Sequence, residues 1–485
     1  MSEATTPINK SPGRVFYWVE RIGNKIPNPF LLFVYLILVL MLATALFSWL
    51  DVAVKNPATG ELIKVNNLMS VAGMQWIFPN IIHNFSSFAP LGAILALVIG
   101  AGLAEKVGLL QALMYKMASR VSARYASYMV LFIAFFSHIS SDAALAAIAG
   151  VASGFTANLL IVTTDVLLSG ISTEATKAVD GAVHVSVIDN WYFMATSVIV
   201  LTIAGALLTD KFIEPRLPKW QGGAEDKIAA LTPLQNRGLM MSGIAALVFI
   251  AIIAALVVPE AAPLRDPNTG SVIPSPFIKG IVPIIILFFF TVAITYGVVT
   301  KQIRRPDDIP HHLLDPMKSM AGFIVMVFPL SQFVAFFNWS NMGKFMAVGL
   351  TDMLEAAGMS GAPAFLGLMF LSAFLCMFIA SGSAIWSILA PIFVPMFMLL
   401  GFHPAFAQMI FRIADSAVLP LAPMSPFLPL FLGFLQRYRK DAQLGTYYVL
   451  ILPYPVVFFS VWILLLLVWY ALGLPIGPGV YPKLG

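Results

Sequence analysis

Two carboxylates stand in stretches otherwise fit only for the interior of a bilayer. Asp415 lies in Ile410-Phe411-Arg412-Ile413-Ala414-Asp415, and Asp165 follows Thr163-Thr164. An ionisable group at membrane depth is costly to insert and is a functional candidate by default. Arg412 is three residues before Asp415 on the same helical face, so the two read either as a structural ion pair or as a charged site open to a ligand. Asp165 has no base within one helical turn. It reads either as a ligand group or as an interfacial carboxylate near the outer helix end, since Gly170 and Ser172 soon follow. Asn158, in Gly154-Phe155-Thr156-Ala157-Asn158, offers its amide to a ligand or to a neighbouring helix. The chemistry such groups suit is uptake and release of a proton by a buried aspartate, or oxygen ligation of sodium, with Asp415 the candidate sodium position.

Two polar patches, Ser140-Ser141-Asp142 and Ser381-Gly382-Ser383, interrupt apolar stretches that otherwise resemble membrane helix, and each follows an apolar arm (128–139 and 365–380). Small hydroxyl and glycine residues leave backbone groups free to face a ligand, an exposure that lipid does not tolerate. Breaks at matching places in two halves of a chain point to the binding site of a secondary transporter. Ser383 and Trp386, three apart, share one face, and a hydroxyl beside an indole suits an aromatic, hydrogen-bonding ligand. The plainer reading is that Trp386 only packs. Pro404 opens the next span at a first-turn position, and Pro420, Pro423, Pro426 and Pro429 break that span's second half. His138 and His403 flank these regions as proton relays or, more simply, as structural hydrogen-bonding groups. Gly92, Ala96, Gly100 and Ala104 recur every four residues, the pattern of close helix packing.

Composition sets the frame for these residues. Of 485 residues, 59% are hydrophobic and 11% charged, and the mean hydropathy is +0.89. That is too little charge to cover a soluble protein of this length. The chain is expected to be an all-α polytopic membrane protein with about nine transmembrane helices and two re-entrant helical hairpins arranged as an inverted repeat. Spans are expected at roughly 29–50, 83–104, 148–170, 191–210, 238–258, 278–300, 319–340, 404–433 and 447–472, with hairpins near 125–147 and 363–400. The run 29–50 reads as a retained anchor, not a signal peptide.

Basic residues test that layout. Lys10, Arg14, Arg21 and Lys25; Lys106, Lys116, Arg120 and Arg124; Lys211, Arg216, Lys219, Lys227 and Arg237; Lys301, Arg304, Arg305 and Lys318; and Arg437, Arg439 and Lys440 fall in loops of one side. The opposite loops (51–80, 171–190, 259–277) hold few bases. Positive-inside bias then puts the N-terminus in the cytoplasm and the C-terminus outside, provided that both hairpins return to the side they left. The expected division is a cytoplasmic segment 1–28, a first repeat 29–210, and a basic linker, fifth span and external loop over 211–277. A second repeat 278–472 and an external tail 473–485 follow. After Asp142 the returning arm of the first hairpin is much shorter than its counterpart in the second.

Other classes fit poorly. The formal charge of +5 is spread over orientation loops and implies no nucleic-acid partner. The single cysteine, Cys376, and six histidines without ligand spacing give no disulfide framework or zinc site. No Walker-type loop or catalytic triad appears, so neither primary pumping nor an enzyme is indicated and no cofactor is expected. A passive channel would need a pore-lining ring that the sequence lacks. An intramembrane enzyme would need a nucleophile with its base.

At Ser140-Ser141-Asp142, 154–160 (GFTANLL), 378–386 (FIASGSAIW), 390–396 (APIFVPM) and 412–416 (RIADS), the chain resembles the p-aminobenzoyl-glutamate transporter family (AbgT) nearly end to end. The resemblance implies a homodimer of nine-span subunits in the bacterial inner membrane, each with two re-entrant hairpins and a bowl-like cavity open to the cytoplasm. It also implies transport of p-aminobenzoyl-glutamate, a small aromatic carboxylate. In some members it implies export of sulfonamide antimetabolites driven by an ion gradient. The functional positions it carries over are Asp165, Ser383, Trp386, Pro404 and Asp415.

Overall fold

The computed structural model describes residues 27, 29–55, 62–118, 154–213, 231–272, 275–358, 361–378, 381–422, 447–448 and 451–484. The first hairpin, with Ser140, Ser141 and Asp142, lies outside the described residues, as do His138, Pro423, Pro426 and Pro429.

Long uncharged runs form helices because a helix satisfies its own backbone within one segment. α1 spans Pro29–Trp49, α6 Trp191–Leu208, α7 Pro233–Val257 and α8 Ile281–Val299. α10 spans Ala321–Trp339 and α15 Pro453–Ala471. Among the described residues, eight helices have the length and composition to cross a membrane. The protein is a helical, multi-pass membrane protein. Among the described residues, one small sheet pairs β1 (Ala53–Lys55) with β2 (Leu62–Lys64) antiparallel.

α1 buries only Phe33, Leu40 and Thr44, a narrow stripe against α10 where Phe33 meets Phe333 at 5.9 Å between centroids. α7 buries only Gly238, Ser242 and Val257. Its start is fixed by Thr232, whose hydroxyl accepts from the Gln235 N–H while the Gln235 side chain accepts from the Thr232 N–H. Faces this apolar and this exposed suit lipid and not water.

Several expected boundaries move. The expected loop 51–80 contains the β-hairpin and the start of α2 (Val71–Ser86). The span expected at 83–104 is the end of α2 followed by α3 (Ala89–Lys106), broken where Pro90 enters the second helix at its first turn. α4 (Leu109–Ala118) follows. The connection 301–318 holds an amphipathic helix, α9 (Asp308–Ser319), and 341–362 holds α11 (Met342–Ala356). Of the small-residue stripe, Gly100 does approach α8, since a Cβ there would lie 3.1 Å from the Ile286 Cα, but Gly92 faces open space.

Over the expected second hairpin lie two helices, α12 (Ala362–Cys376) and α13 (Gly382–Leu399). At 15 residues α12 reaches about 22 Å, short of the ~30 Å hydrocarbon core. α13, with 18 residues, meets the length of a span by itself. Length therefore does not force the re-entrant course. α14 (Pro404–Val418) ends in a single 3₁₀ turn at Leu419–Leu421, with Pro420 inside it. Of the span expected at 404–433 the α-helix stops at Val418, and 423–433 lies outside the described residues.

Side-chain contacts sort the loops into two ends. At one, Lys106 bonds Asp315 of α9 at 3.2 Å, Lys116 bonds Asn236 at the start of α7, and the Arg304 N–H donates to Asp308. At the other, Asn341 donates to the Lys64 carbonyl, and Asn338 donates to the Glu174 carbonyl. The chain's end closes over this second face. The Phe193 N–H donates to the Ile476 carbonyl, and the His403 N–H donates to the Pro482 carbonyl. These bonds tie the start of α6 to the start of α14 through the tail.

Gly477 sits where a Cβ would fall 2.4 Å from the Asp189 carbonyl oxygen. Gly477→Val should therefore lower stability by about 1–3 kcal/mol through overpacking. The thermal unfolding of purified protein in detergent reads this, and an unchanged Tm would remove the tail from the structural core.

Candidate functional site

The site begins where a helix fails to form. A span was expected over 148–170, yet 154–162 runs as turns and extended backbone, and helix α5 covers Thr163–Thr176. Backbone groups freed by such a break must find other partners away from water. They do. The Thr156 carbonyl accepts from Arg412 Nη2 at 2.7 Å, and the Thr156 N–H donates to Ser416 Oγ at 2.9 Å. The Leu160 carbonyl accepts from Asn158 Nδ2 at 2.7 Å, and the Val162 N–H donates to Asp165 Oδ2 at 2.7 Å. Polar side chains replace the missing helical bonds.

Asp165 stands in the first turn of α5, where the helix dipole favours a negative charge. Its Oδ1 is 2.7 Å from Arg412 Nη1 of α14, with the two side chains only 3% and 1% exposed. Asn158 lies between them, donating to Asp165 Oδ2 and accepting from Arg412 Nη2 at 3.0 Å. The reading of Arg412 as partner to Asp415 is therefore corrected: its guanidinium pairs with Asp165, in the first half of the chain. Asp165 is likewise no interfacial group at an outer helix end. A carboxylate and a guanidinium buried together keep their charges only when paired and hydrogen-bonded. Arg412 Nε has no hydrogen-bond partner among the described residues, so one donor of the fork remains unused.

Asp415 occupies a different setting. Gly382, the first residue of α13, packs on it so closely that a Cβ would lie 2.4 Å from Asp415 Oδ2. The Cys376 thiol at the end of α12 lies close enough to interact with its carboxylate, so both α12 and α13 have a residue beside it. Ser381 caps α13 by accepting from the Ala384 N–H, and its hydroxyl lies 3.3 Å from that of Ser383. Pro404 is the first residue of α14 and is buried, and the ring of His403 before it accepts the Ala405 N–H. That is a structural role.

Trp386 is fully buried. It stacks on Phe411 at 4.8 Å between centroids and donates its indole N–H to Ser172 at 3.0 Å. In this conformation its ring is packed between protein groups. Asp165, Asn158, Ser383, Trp386, Pro404 and Asp415 all lie on the mutually packed α5, α13 and α14 and the broken segment. No group of three or more His, Cys, Asp or Glu side chains gathers as a metal site among the described residues.

A cavity of about 170 Å³ reaches this region from the end that carries α9. Glu105, Pro316, Ser319 and Met320 line it on that side, and Ile161, Val162 and Thr163 close it beside the start of α5. A second cavity of about 340 Å³, between Leu160, Trp191, Phe277 and Phe288, is apolar and offers no polar chemistry.

Thr156, Ser416, Cys376, Ser172 and Gln408, and the pairing of Arg412 with Asp165, escape a reading by local spacing. One signal was present: Gln408, Arg412 and Ser416 recur every four residues along an otherwise apolar helix. That stripe asks for buried partners on a facing element.

A multi-pass helical protein with a charged pair at a broken backbone, and a cavity from one end that stops beside that break, has the architecture of a membrane transporter. The comparisons with known proteins agree. The model of the "AbgT putative transporter family" matches residues 14–146 and 144–484, so the chain belongs to that family and is a transporter, not an enzyme. The p-aminobenzoyl-glutamate transport protein of Escherichia coli K12 is 67% identical over 507 aligned positions, covering 100% of both chains. The YdaH transporter of Alcanivorax borkumensis superposes with a TM-score of 0.88 at 35% identity, over 93% of this chain and all of that one. MtrF of Neisseria gonorrhoeae, described as illuminating a class of antimetabolite efflux pumps, gives 0.89 at 34% identity, over 96% of this chain and all of its own. The two matched family segments meet at 144–146, in the arm that the sequence reading finds short.

Because Gly382 leaves room for Asp415, Gly382→Ala should cost about 1–3 kcal/mol in thermal stability. The same change should cost almost nothing once Asp415 is alanine. Equal losses in both backgrounds would mean that the carboxylate is not what the glycine accommodates.

Proposed function

We propose that the protein is an ion-coupled secondary transporter of p-aminobenzoyl-glutamate and related aromatic carboxylates, sulfonamide antimetabolites included. The substrate class is supported by one observation above all: identity of 67% along the whole chain to a p-aminobenzoyl-glutamate transport protein. The geometry fits such a cargo. Arg412 has an unused Nε donor for a carboxylate beside the pair it makes with Asp165, and Trp386 supplies an aromatic face once the hairpin arm moves away from Phe411.

Transport proceeds by alternating access, with α13 and the broken segment before α5 as the moving parts around a site near the bilayer midplane. The end bearing Lys106, Lys116 and Arg304 faces the cytoplasm by positive-inside bias, and the N-terminus with it. Nine spans, two re-entrant hairpins and the two-repeat division over 29–210 and 278–472 complete the topology, in an inner-membrane homodimer. Asp415, with a residue of α12 and one of α13 beside it, is the coupling carboxylate: it takes up a proton when its surroundings exclude water, or holds sodium with hairpin oxygens. Arg412 keeps Asp165 charged throughout the cycle.

In proteoliposomes at clamped membrane potential, labelled p-aminobenzoyl-glutamate should accumulate above equilibrium under an imposed pH or sodium gradient. Excess sulfonamide should compete, and Asp415→Ala should abolish accumulation without loss of folded protein. Simple equilibration under both gradients would overturn the coupling.

A further inference from the structure

Apart from the ion pair, four buried polar side chains form one connected series. Trp386 Nε1 donates to Ser172 Oγ at 3.0 Å, and Ser172 Oγ donates to Gln408 Oε1 at 2.7 Å. Gln408 Nε2 donates to Asn190 Oδ1 at 3.0 Å, and Asn190 Nδ2 donates to the Ala405 carbonyl at 2.8 Å. The series runs from α13 to α5, on to α14, and through the residue before α6 back to the first turn of α14. All four side chains are buried.

Its direction is fixed from the far end. A backbone carbonyl only accepts, so Asn190 must turn its NH₂ toward Ala405 and its oxygen toward Gln408. Gln408 must then donate to Asn190 and present its own oxygen to Ser172. The Ser172 hydroxyl hydrogen is thereby drawn to Gln408, with the Leu168 carbonyl at 2.9 Å sharing it. What remains on Ser172 is a lone pair, the partner that an indole N–H requires. Trp462 provides a contrast: its N–H meets Ser197 at 2.7 Å, and that serine donates to the Phe193 carbonyl of its own helix. There the bonding ends locally.

We propose that Ser172, Gln408 and Asn190 are positioning residues for Trp386. They form an anchored polar series that sets the direction of the indole N–H, and so the plane the ring offers to an aromatic substrate. The inference rests on the proposed function only in taking Trp386 as the surface that the substrate meets. Asn190 does not bond to the indole in this structure, yet its replacement frees the Gln408 amide to turn and removes the partner that orients Ser172.

The test pairs a spectroscopic readout with transport. The nine tryptophans are labelled as 5-fluorotryptophan, and the ¹⁹F resonance of Trp386 is assigned by its loss in Trp386→Phe. Ser172→Ala and Asn190→Leu should each shift that resonance, while Ser197→Ala should shift only Trp462. In uptake of p-aminobenzoyl-glutamate, Ser172→Ala should raise KM roughly three- to tenfold with a smaller change in Vmax. It should add nothing in the Trp386→Phe background, and Ser172→Thr should restore the wild-type KM. A Trp386 resonance unmoved by Asn190→Leu, or KM effects that multiply in the double variant, would overturn the proposal. Wild-type protein that fails to carry p-aminobenzoyl-glutamate would count against the proposed function, and the resonance shifts would still decide the positioning.

Discussion

The carboxylate of Asp165 and the guanidinium of Arg412 meet at 2.7 Å where water is almost excluded. Leaving either charge there alone would cost several kcal/mol, more than most single contacts return. The surroundings are arranged accordingly. The backbone before α5 leaves the helical path, and its freed carbonyls and N–H groups are taken up by Arg412, Asn158, Ser416 and Asp165 itself. The break and the ion pair are thus one feature. The break gives Arg412 a carbonyl to bond, and Arg412 makes the break tolerable at membrane depth. Because Asp165 belongs to the first half of the chain and Arg412 to the second, the pair also fixes how the two halves sit together.

The second carboxylate differs in the ways that matter for a transport cycle. Asp165 is locked by a guanidinium, an amide and a backbone N–H. Asp415 has a thiol and the glycine at the head of α13 against it. The first is held by groups on α14 and on the broken segment; the second is held by groups at the facing ends of α12 and α13. The cavity that enters from the end bearing α9 stops beside Thr163, two residues before Asp165. The chain's tail, tying the start of α6 to the start of α14, closes the other end.

Much of this was legible in the residues. Uncharged runs of about twenty residues mark the spans because lipid permits little else, and α1, α6, α7, α8, α10 and α15 fall where they were expected. Ser381 and Gly382 stand at the start of a helix, as cap and first residue, and Asp165 and Asp415 are buried on packed elements. What escaped has a physical reason. Arg412 and Asn158 lie 254 residues apart, and spacing within one helix shows only the neighbour at Asp415. The unwound segment at 154–162 is apolar enough to read as helix, since its partners are supplied by a distant side chain. Helices α2, α9 and α11 were overlooked because proline or charge within them reads as a loop. The burial of Trp386 follows from Ser172 and Phe411, which no local pattern connects to it.

The pairing across the halves is tested most directly by the thermal stabilities of Asp165→Leu, Arg412→Leu and the double variant, measured side by side in detergent. If the ion pair holds the broken backbone, each single change should cost about 3–5 kcal/mol by stranding a buried charge, and the double should recover the greater part of that loss. Losses that simply add in the double variant would show that the two charges do not depend on each other.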